Sequence, residues 1–239
     1  MKYRADIDGL RALAVLLVIF NHYGFGLSGG YVGVDVFFVI SGFVITIGIY
    51  PRIKANNFTY SQFWYARIRR LMPALFLVLF ISSLIFSIIL VPSDLLLFSK
   101  NLLAANFSLS NFYIWSEYGG YFSGNAQEAP LLHTWSLAVE EQFYILWPIC
   151  LVLLCKLFSG PRLLLVLICS TVAFIFVSQY GVERTIAAAY YLLPTRVFEL
   201  LLGCSVAIYL SEFNIQLNRT LANICSITGL GLVVFSAVY

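Results

Sequence analysis

Two side chains capable of acid–base or electrostatic chemistry, Arg11 and His22, interrupt the otherwise apolar stretch LRALAVLLVIFNHYGFGL. In an α-helix their separation of eleven residues is three turns plus about 20°, so they share one face, roughly 16 Å apart in depth. A charge or an imidazole in hydrocarbon costs a few kcal/mol, so both residues need partners, water or a chemical task. They are either a snorkelling arginine and a histidine bonded between helices, or catalytic groups.

Asp35 opens the second apolar stretch, in GGYVGVDVFFVISGF. The turn between the two stretches centres near residues 28–29, which predicts His22 and Asp35 at similar depth on antiparallel neighbours. A carboxylate that holds one imidazole nitrogen leaves the other to take a proton, as in the base and orienting group of acyl-transfer enzymes. A purely structural His–Asp pair is the alternative.

A third group of polar residues lies in PLLHTWSLAVEEQFYILWP. His133 and Glu140 are seven residues apart and so share a helix face with Ser136, while Glu141 turns toward a neighbouring helix. Packing alone poorly explains two adjacent glutamates within a bilayer. We expect catalytic roles for the two glutamates and substrate contacts for His133, Trp135 and Ser136, although a histidine near the interface could simply be hydrated.

A basic cluster, RIRRLMP, precedes the third apolar stretch and contains Arg67, Arg69 and Arg70. Such residues commonly determine membrane topology. Arginine forks also match phosphate oxygens, so the cluster could hold a di- or polyphosphate. The sequence has neither GxxxxGK[ST] nor GxGxxG, which excludes a P-loop or Rossmann cofactor site.

The composition requires a membrane protein. Hydrophobic residues make up 61% of the 239 residues and charged residues 10%, and the net charge of +3 is too small to indicate nucleic acid as a partner. We predict an all-α, polytopic transmembrane helix bundle with about seven spans, treated as one domain over residues 1–239. The apolar stretches that predict these spans lie near 10–27, 31–50, 72–91, 133–154, 163–179, 189–210 and 221–239.

Charge in the connections predicts the topology. Residues 51–71 contain five basic residues and no acid, whereas 92–132 contains Lys100 against Asp94, Glu117 and Glu128. The positive-inside rule places the first connection and the N-terminus in the cytoplasm, for a protein of the inner (plasma) membrane. The second, rich in aromatic residues, is expected to be an outer loop that lies at the headgroup level or stacks on sugar rings.

The five cysteines fall in or beside apolar stretches, without a CxxC pair or nearby histidines. We expect core residues, neither a disulfide framework nor a metal site. The last stretch ends at GLVVFSAVY without a polar exit, so we expect a chain that continues beyond residue 239.

Together the motifs resemble acyltransferase family 3, the O-antigen acetylase-like membrane proteins, over residues 4–205. The matching features are Arg11 with ten residues before His22, GGYVGVDVFFVISGF, Arg67-x-x-Arg70, LLHTWSLAVEEQFYILWP and PTRVFELLLG. The resemblance implies transfer of an acyl group, commonly acetyl, from cytoplasmic acyl-CoA to a hydroxyl of an envelope glycan or lipid-linked saccharide. It also implies that the arginine and histidine of the first helix and the RxxR arginines are needed for activity.

On this interpretation no cofactor is tightly bound and acyl-CoA is the donor substrate. The basic cluster, with Arg11, would hold the CoA phosphates, and His22, oriented by Asp35, would act as general base or as transient acyl carrier. Glu140 and Glu141 would shape the acceptor side. The alternative is a carrier in which the intramembrane ionisable residues form a proton or solute path, although the internal repeats common in transporters are absent from the sequence.

Overall fold

The computed structural model describes residues 4–119, 129–213 and 218–238, and within these ranges the chain is helical with no strand. This confirms the all-α prediction. In chain order the helices are α1 (Ala5–His22), α2 (Val32–Lys54), α3 (Tyr60–Ile89), α4 (Pro92–Asn106), α5 (Ser110–Tyr118), α6 (Thr134–Leu157), α7 (Pro161–Arg184), α8 (Ile186–Tyr191), α9 (Leu193–Phe213) and α10 (Arg219–Val238).

Six helical segments of the described chain are long and apolar enough to cross a membrane, close to the seven predicted: α2, α3, α6, α7, α8 with α9, and α10. The first helix is not among them, since its eighteen residues include Asp6, Asp8 and Arg11. The spanning helices expose many leucine, isoleucine and phenylalanine side chains, as a surface facing lipid does.

Three cysteines (Cys150, Cys169 and Cys225) lie on exposed surfaces, so the prediction that all five are core residues was wrong. In lipid a small apolar residue can face outward at little cost.

Helix α1 ends at His22, five residues before the predicted end of the first stretch. Gly24 and Gly26 follow with φ of 70° and 76°, a left-handed conformation that glycine adopts without strain and that cannot continue the helix. His22 is therefore the last residue of its helix and not, as predicted, well inside a span.

Two predicted connections are largely helical. Helix α3 begins at Tyr60, so the connection from α2 is only 55–59 and the basic cluster lies within the helix. Arginine, leucine and methionine all have high helix propensity. The cluster of basic residues had instead suggested a connection between helices. In the predicted outer loop, Pro92 starts α4 with its φ already suited to a first helical turn, and α5 follows. Residues 120–128 of that loop, including Glu128, lie outside the described residues.

The helices form two compact units, the first comprising Met1–Pro51, Leu157–Thr171 and Phe198–Tyr239. Glycines allow backbones of this unit to meet. A Cβ atom on Gly33 would overlap the Ala14 carbonyl of α1, and one on Gly42 would overlap the Leu200 carbonyl of α9. Gly203 of α9 faces the Val39 carbonyl of α2 in the same way. Each of the two helices therefore contributes a glycine where α2 and α9 cross.

We expect Gly203→Ala to destabilise the protein, because the added methyl group would overlap the Val39 carbonyl and force the two helices apart. Overpacking of this kind costs about 1–3 kcal/mol, or several degrees in the thermal unfolding temperature, which can be measured in detergent. Gly229→Ala in α10 is the matched control, since no atom lies within 4 Å of its added Cβ. Equal unfolding temperatures for the two variants would contradict this explanation.

The second unit comprises Arg52–Lys156 and Val172–Val197. Its apolar core joins α3, α4 and the turn before α6 through Leu75, Leu79, Phe98, Ala105 and Leu131. Four of these residues are at most 6% exposed and Leu131 is fully buried, so α4 is packed against α3. This core supports the polar residues of the unit.

Candidate active site

His22 is an exposed side chain oriented by its own helix. Its Nδ1 lies 2.9 Å from the carbonyl oxygen of Val18. Because a carbonyl only accepts hydrogen bonds, Nδ1 carries the proton and Nε2 is the nitrogen that can act as base. Asn21 closes the following turn by donating to the carbonyls of Leu27 and Ser28 at 2.9 and 3.0 Å. Sequence reasoning did not single out Asn21, although Asn beside a glycine-rich turn is a recognisable signal.

Asp35 is half-buried in the first turn of α2. The glycine contacts set the register of α2 on α1, because Gly33 lies against Ala14 and Val18, and Gly30 against Leu17 and Asn21. Two residues beyond Gly33, Asp35 is therefore nearer the level of Ala14, about 12 Å along α1 from His22. The expectation of equal depth for Asp35 and His22 was wrong, because α1 ends early and the turn is not symmetric. The orienting role of Asp35 stays a prediction.

Arg11 also lies in α1, so its eleven-residue spacing from His22 does place the two on one helix face. Its side chain is 25% exposed, and Nη1 lies 3.9 Å from Asp8 Oδ1 one turn earlier. Sequence reasoning overlooked this partner, although an i, i+3 spacing of acid and base is a usual signal of pairing.

The basic cluster separates into two sides of α3. Arg67 and Arg70, three residues apart, share a face, whereas Arg69 is turned about 160° away from Arg67. The Arg67 guanidinium lies 5.7 Å from the centre of the Phe63 ring and 6.0 Å from that of Tyr144. Arg69 and Arg70 are exposed. The geometry therefore favours the Arg67–Arg70 pair as one anion site, without Arg69.

A cavity of about 270 Å³ brings Arg70 and His133 together. The prediction had assigned Arg70 to the donor and His133 to the acceptor, because the stretches that contain them were expected to begin on opposite sides of the membrane. Apolar side chains of α3 and α6 make up most of the wall; the complete lining is Arg70, Leu71, Ala74, Leu75, Val78, His133, Thr134 and Leu137.

Glu141 belongs to a buried polar network at the corner between α4 and α5. It is 7% exposed, and its Oε2 accepts a hydrogen bond from Ser108 Oγ. The neighbouring Gln142 donates 2.8 Å bonds to the Ser108 carbonyl and to Asn111 Oδ1. Ser108 has a φ of 58°, a conformation that costs energy for a residue with a side chain and persists only where neighbours hold it. The glutamine and asparagine went unnoticed because neither is charged.

We expect Asn111→Leu to lower the thermal unfolding temperature by several degrees. Asn111 is fully buried and donates to the Tyr191 carbonyl at 3.1 Å while accepting from Gln142. Leaving those groups without partners costs about 1–3 kcal/mol. Asn106→Leu is the control, since the exposed Asn106 bonds only within its own helix, to the Leu102 carbonyl. A drop of the same size in Asn106→Leu would contradict the role of the network.

The remaining predicted residues are near the start of α6. Glu140 Oε2 accepts a 2.8 Å bond from Tyr144 OH, and Ser136 Oγ donates to the His133 carbonyl at 3.2 Å. Trp135 is 2% exposed in an aromatic cluster with Tyr190 and Tyr191, with the Arg196 guanidinium 5.8 Å from its ring. In this conformation Trp135 is closed to a substrate. Its predicted substrate contact and that of Ser136 stay predictions.

A second cavity, of about 490 Å³, lies in the α4–α5 region and is lined by Asp94, Phe98, Glu117 and Tyr118 among others. Burial raises the pKa of Tyr118, and the carboxylates of Glu117 and Asp94 raise it further, so the phenol stays protonated. Carboxylates and aromatic rings suit the hydroxyls and faces of sugars. The predicted stacking of this region on sugar rings stays a prediction.

Comparison with known proteins gives consistent matches. The model of the acyltransferase domain family matches residues 4–239. The chain is 37% identical to the peptidoglycan O-acetyltransferase OatA of Listeria monocytogenes over 86% of this chain and 34% of that protein. It is 37% identical to the putative peptidoglycan O-acetyltransferase YrhL of Bacillus subtilis over 91% and 35%, and 34% identical to the O-acetyltransferase OatA of Staphylococcus aureus over 98% and 39%. The chain thus spans about a third of the length of these curated relatives. No solved structure matches it significantly.

Proposed function

The chain belongs to acyltransferase family 3, and we propose that it transfers an acetyl group from cytoplasmic acyl-CoA to a hydroxyl of a cell-envelope glycan. The names of the relatives support O-acetylation, and two of them specify peptidoglycan, which we take as the acceptor class. The apolar spanning helices support a membrane location. Basic residues at the end of α2 and in α3 favour a cytoplasmic N-terminus by the positive-inside rule.

The orientation of His22 is the observation that carries the proposal. With Nδ1 bonded to the Val18 carbonyl, Nε2 can take the proton of an acceptor hydroxyl. The hydroxyl oxygen then attacks the thioester carbonyl, a C–O bond forms, the C–S bond breaks, and the proton passes to the departing CoA thiolate.

Donor binding is assigned to the second unit. Arg67 and Arg70 present two guanidinium groups on one face of α3, the arrangement that suits neighbouring phosphate oxygens. Arg11 would be needed for activity, as the family resemblance implies. Glu140 would serve the acceptor side, while Glu141, already bonded to Ser108, would hold the α4–α5 corner in place.

The test is a transfer assay with the full-length protein in lipid discs, given acetyl-CoA and soluble peptidoglycan fragments. We expect free CoA to accumulate and mass spectrometry to detect an alkali-labile acetyl ester on the glycan. Omission of the glycan, and boiled protein, are the controls. A carrier that uses the same ionisable residues would leave acetyl-CoA intact, and that result would exclude the proposed enzyme. An acetyl adduct mapped to His22 without acceptor would indicate that this histidine carries the acyl group.

Asp35→Asn is expected to lower turnover, while acyl-CoA affinity is unchanged. The exchange removes a negative charge from the α1–α2 pair but leaves the α3 arginines untouched. Because a carboxylate favours the imidazolium that forms during proton transfer, its loss should lower kcat. Stopped assays measure turnover, and direct binding of acetyl-CoA measures donor affinity separately. Lost donor affinity with normal kcat would contradict the role.

A further inference from the structure

We propose that the cavity shared by Arg70 and His133 receives the pantetheine arm of the acyl donor and brings its thioester to His133. This inference rests on the proposed function, since it assumes acyl-CoA as donor. It moves His133 from the acceptor side, where the sequence suggested it, to the donor side.

The two helices that form the cavity run antiparallel. Arg67 of α3 lies beside Tyr144 of α6, while later α3 residues, 70–78, lie beside earlier residues of the α6 segment, 133–137. By this register Arg70 lies toward one end of the cavity and His133, near the level of Val78, lies toward the other. Eight residues of α3 separate these levels, a distance of about 12 Å. The cavity, called the groove from here on, thus has a cationic group and an imidazole at different levels.

The lining between these ends is apolar. Leu75 is 6% exposed and belongs to the core of the unit, so it forms a fixed floor. The Thr134 hydroxyl is buried and already bonded to the Leu131 carbonyl at 2.7 Å. The exposed polar side chains of the lining are therefore Arg70 and His133. A ligand that fits would carry an anion at one end, methylene and methyl groups along its middle, and a hydrogen-bond acceptor at the other end.

The pantetheine arm has the required groups at its two ends, a phosphate and the sulfur that bears the acyl carbonyl. Between them lie methylene and methyl groups together with a hydroxyl and two amides, which would face the open side of the groove, where Ala74 and Val78 are exposed. The groove is slightly smaller than the 300–1,000 Å³ usual for sites that enclose a whole drug-sized ligand. It can therefore take the arm, whereas the phosphoadenosine part must remain outside. His133 would donate a ring N–H to the thioester carbonyl, where negative charge develops during attack.

The test compares two ligands on one variant. Ala74 stands in the middle of the α3 wall, so Ala74→Leu should fill the groove. We expect this variant to bind CoA at least about tenfold more weakly while its affinity for phosphoadenosine diphosphate, which lacks the arm, stays within about twofold. Isothermal titration in lipid discs gives both affinities. Ala66→Leu is the matched control, because Ala66 is exposed on the same helix and outside the lining.

The outcomes separate this inference from the proposed function. If the wild-type protein binds neither ligand, the CoA donor itself is wrong. If it binds both and Ala74→Leu binds them equally well, the donor stands and the groove assignment is overturned. If Ala74→Leu binds neither ligand, the test is repeated with Val78→Leu, at the other end of the α3 wall. Loss of both ligands in Val78→Leu would also overturn the assignment.

A phospholipid is the competing occupant, because α3 exposes Phe76, Leu77 and Phe80 by 52%, 59% and 62%. A phosphate with an apolar tail has related chemistry, so the titration is repeated in phosphatidylcholine discs with and without phosphatidylglycerol. We expect equal CoA affinity in both. The groove would be assigned to lipid if phosphatidylglycerol weakened CoA binding to the wild-type protein but did not weaken CoA binding to Ala74→Leu.

A second variant addresses His133 itself. His133→Asn should lower kcat by about tenfold or more without changing CoA affinity, because the imidazole would act on the thioester only as charge develops. A rise in KM for the glycan with normal kcat would return His133 to the acceptor side and overturn its assignment here.

Discussion

His22→Ala is expected to lower the rate of acetyl transfer by about 10²–10⁴-fold, the usual contribution of a general base. The variant should still insert and fold, because His22 is an exposed side chain at the end of α1 and its Nδ1 bonds to the Val18 carbonyl of the same helix. Its affinity for acetyl-CoA should be unchanged. Release of CoA from acetyl-CoA in the presence of glycan measures the rate, and size-exclusion chromatography measures folding.

The adjacent Tyr23→Ala is the matched control for this result. Tyr23 is 74% exposed, follows the helix end directly and has no assigned chemical role. Its variant should retain near-normal turnover, which would show that disturbance of the turn alone does not abolish activity. Wild-type turnover in His22→Ala would remove the histidine from the mechanism, whatever the control shows.

Arg67→Ala and Arg70→Ala are each expected to weaken acyl-CoA binding by roughly ten- to over a hundredfold. A hydrogen bond to a charged group contributes about 1.5–3 kcal/mol, and each tenfold in affinity is about 1.4 kcal/mol. Arg67→Lys and Arg70→Lys should restore only part of the affinity, because an ammonium group cannot form the two-pronged contact of a guanidinium with phosphate. Titration of CoA into each variant in lipid discs measures the effect.

Topology is the alternative explanation of these arginines and predicts another pattern. The positive-inside rule counts charge without regard to geometry, so lysine would substitute fully for arginine. Acyl-CoA binding would then fall only in variants that insert incorrectly. Arg52→Ala, an exposed position at the end of α2, controls for loss of one basic charge outside the α3 face. Correct insertion with unchanged acyl-CoA affinity in all four arginine variants would end the donor-site hypothesis.

The sequence by itself determined the features that depend on local periodicity and composition. Apolar stretches of spanning length predict a helical membrane protein because helix rise and bilayer thickness fix the length of a span. The same periodicity places Arg11 and His22 on one face of α1, and the family motifs are recognisable in the order of the residues. Local charge and loop composition predicted the connections between helices less reliably. Helix α3 already begins at Tyr60, and α4 occupies a predicted loop, because strong helix formers outweighed both signals.

Only the tertiary structure decided how residues of different helices meet. Gly30 and Gly33 set the register of α2 on α1, and a shift in that register moves Asp35 away from the level of His22. Antiparallel packing of α3 and α6 joins Arg70 to His133, which are 63 residues apart in the chain. The Ser108 corner depends on Glu141 and Gln142 from another helix. Each arrangement depends on which side chains allow the backbones of two helices to approach. That is a property of both packed surfaces together, and the residue periodicity of one helix does not determine it.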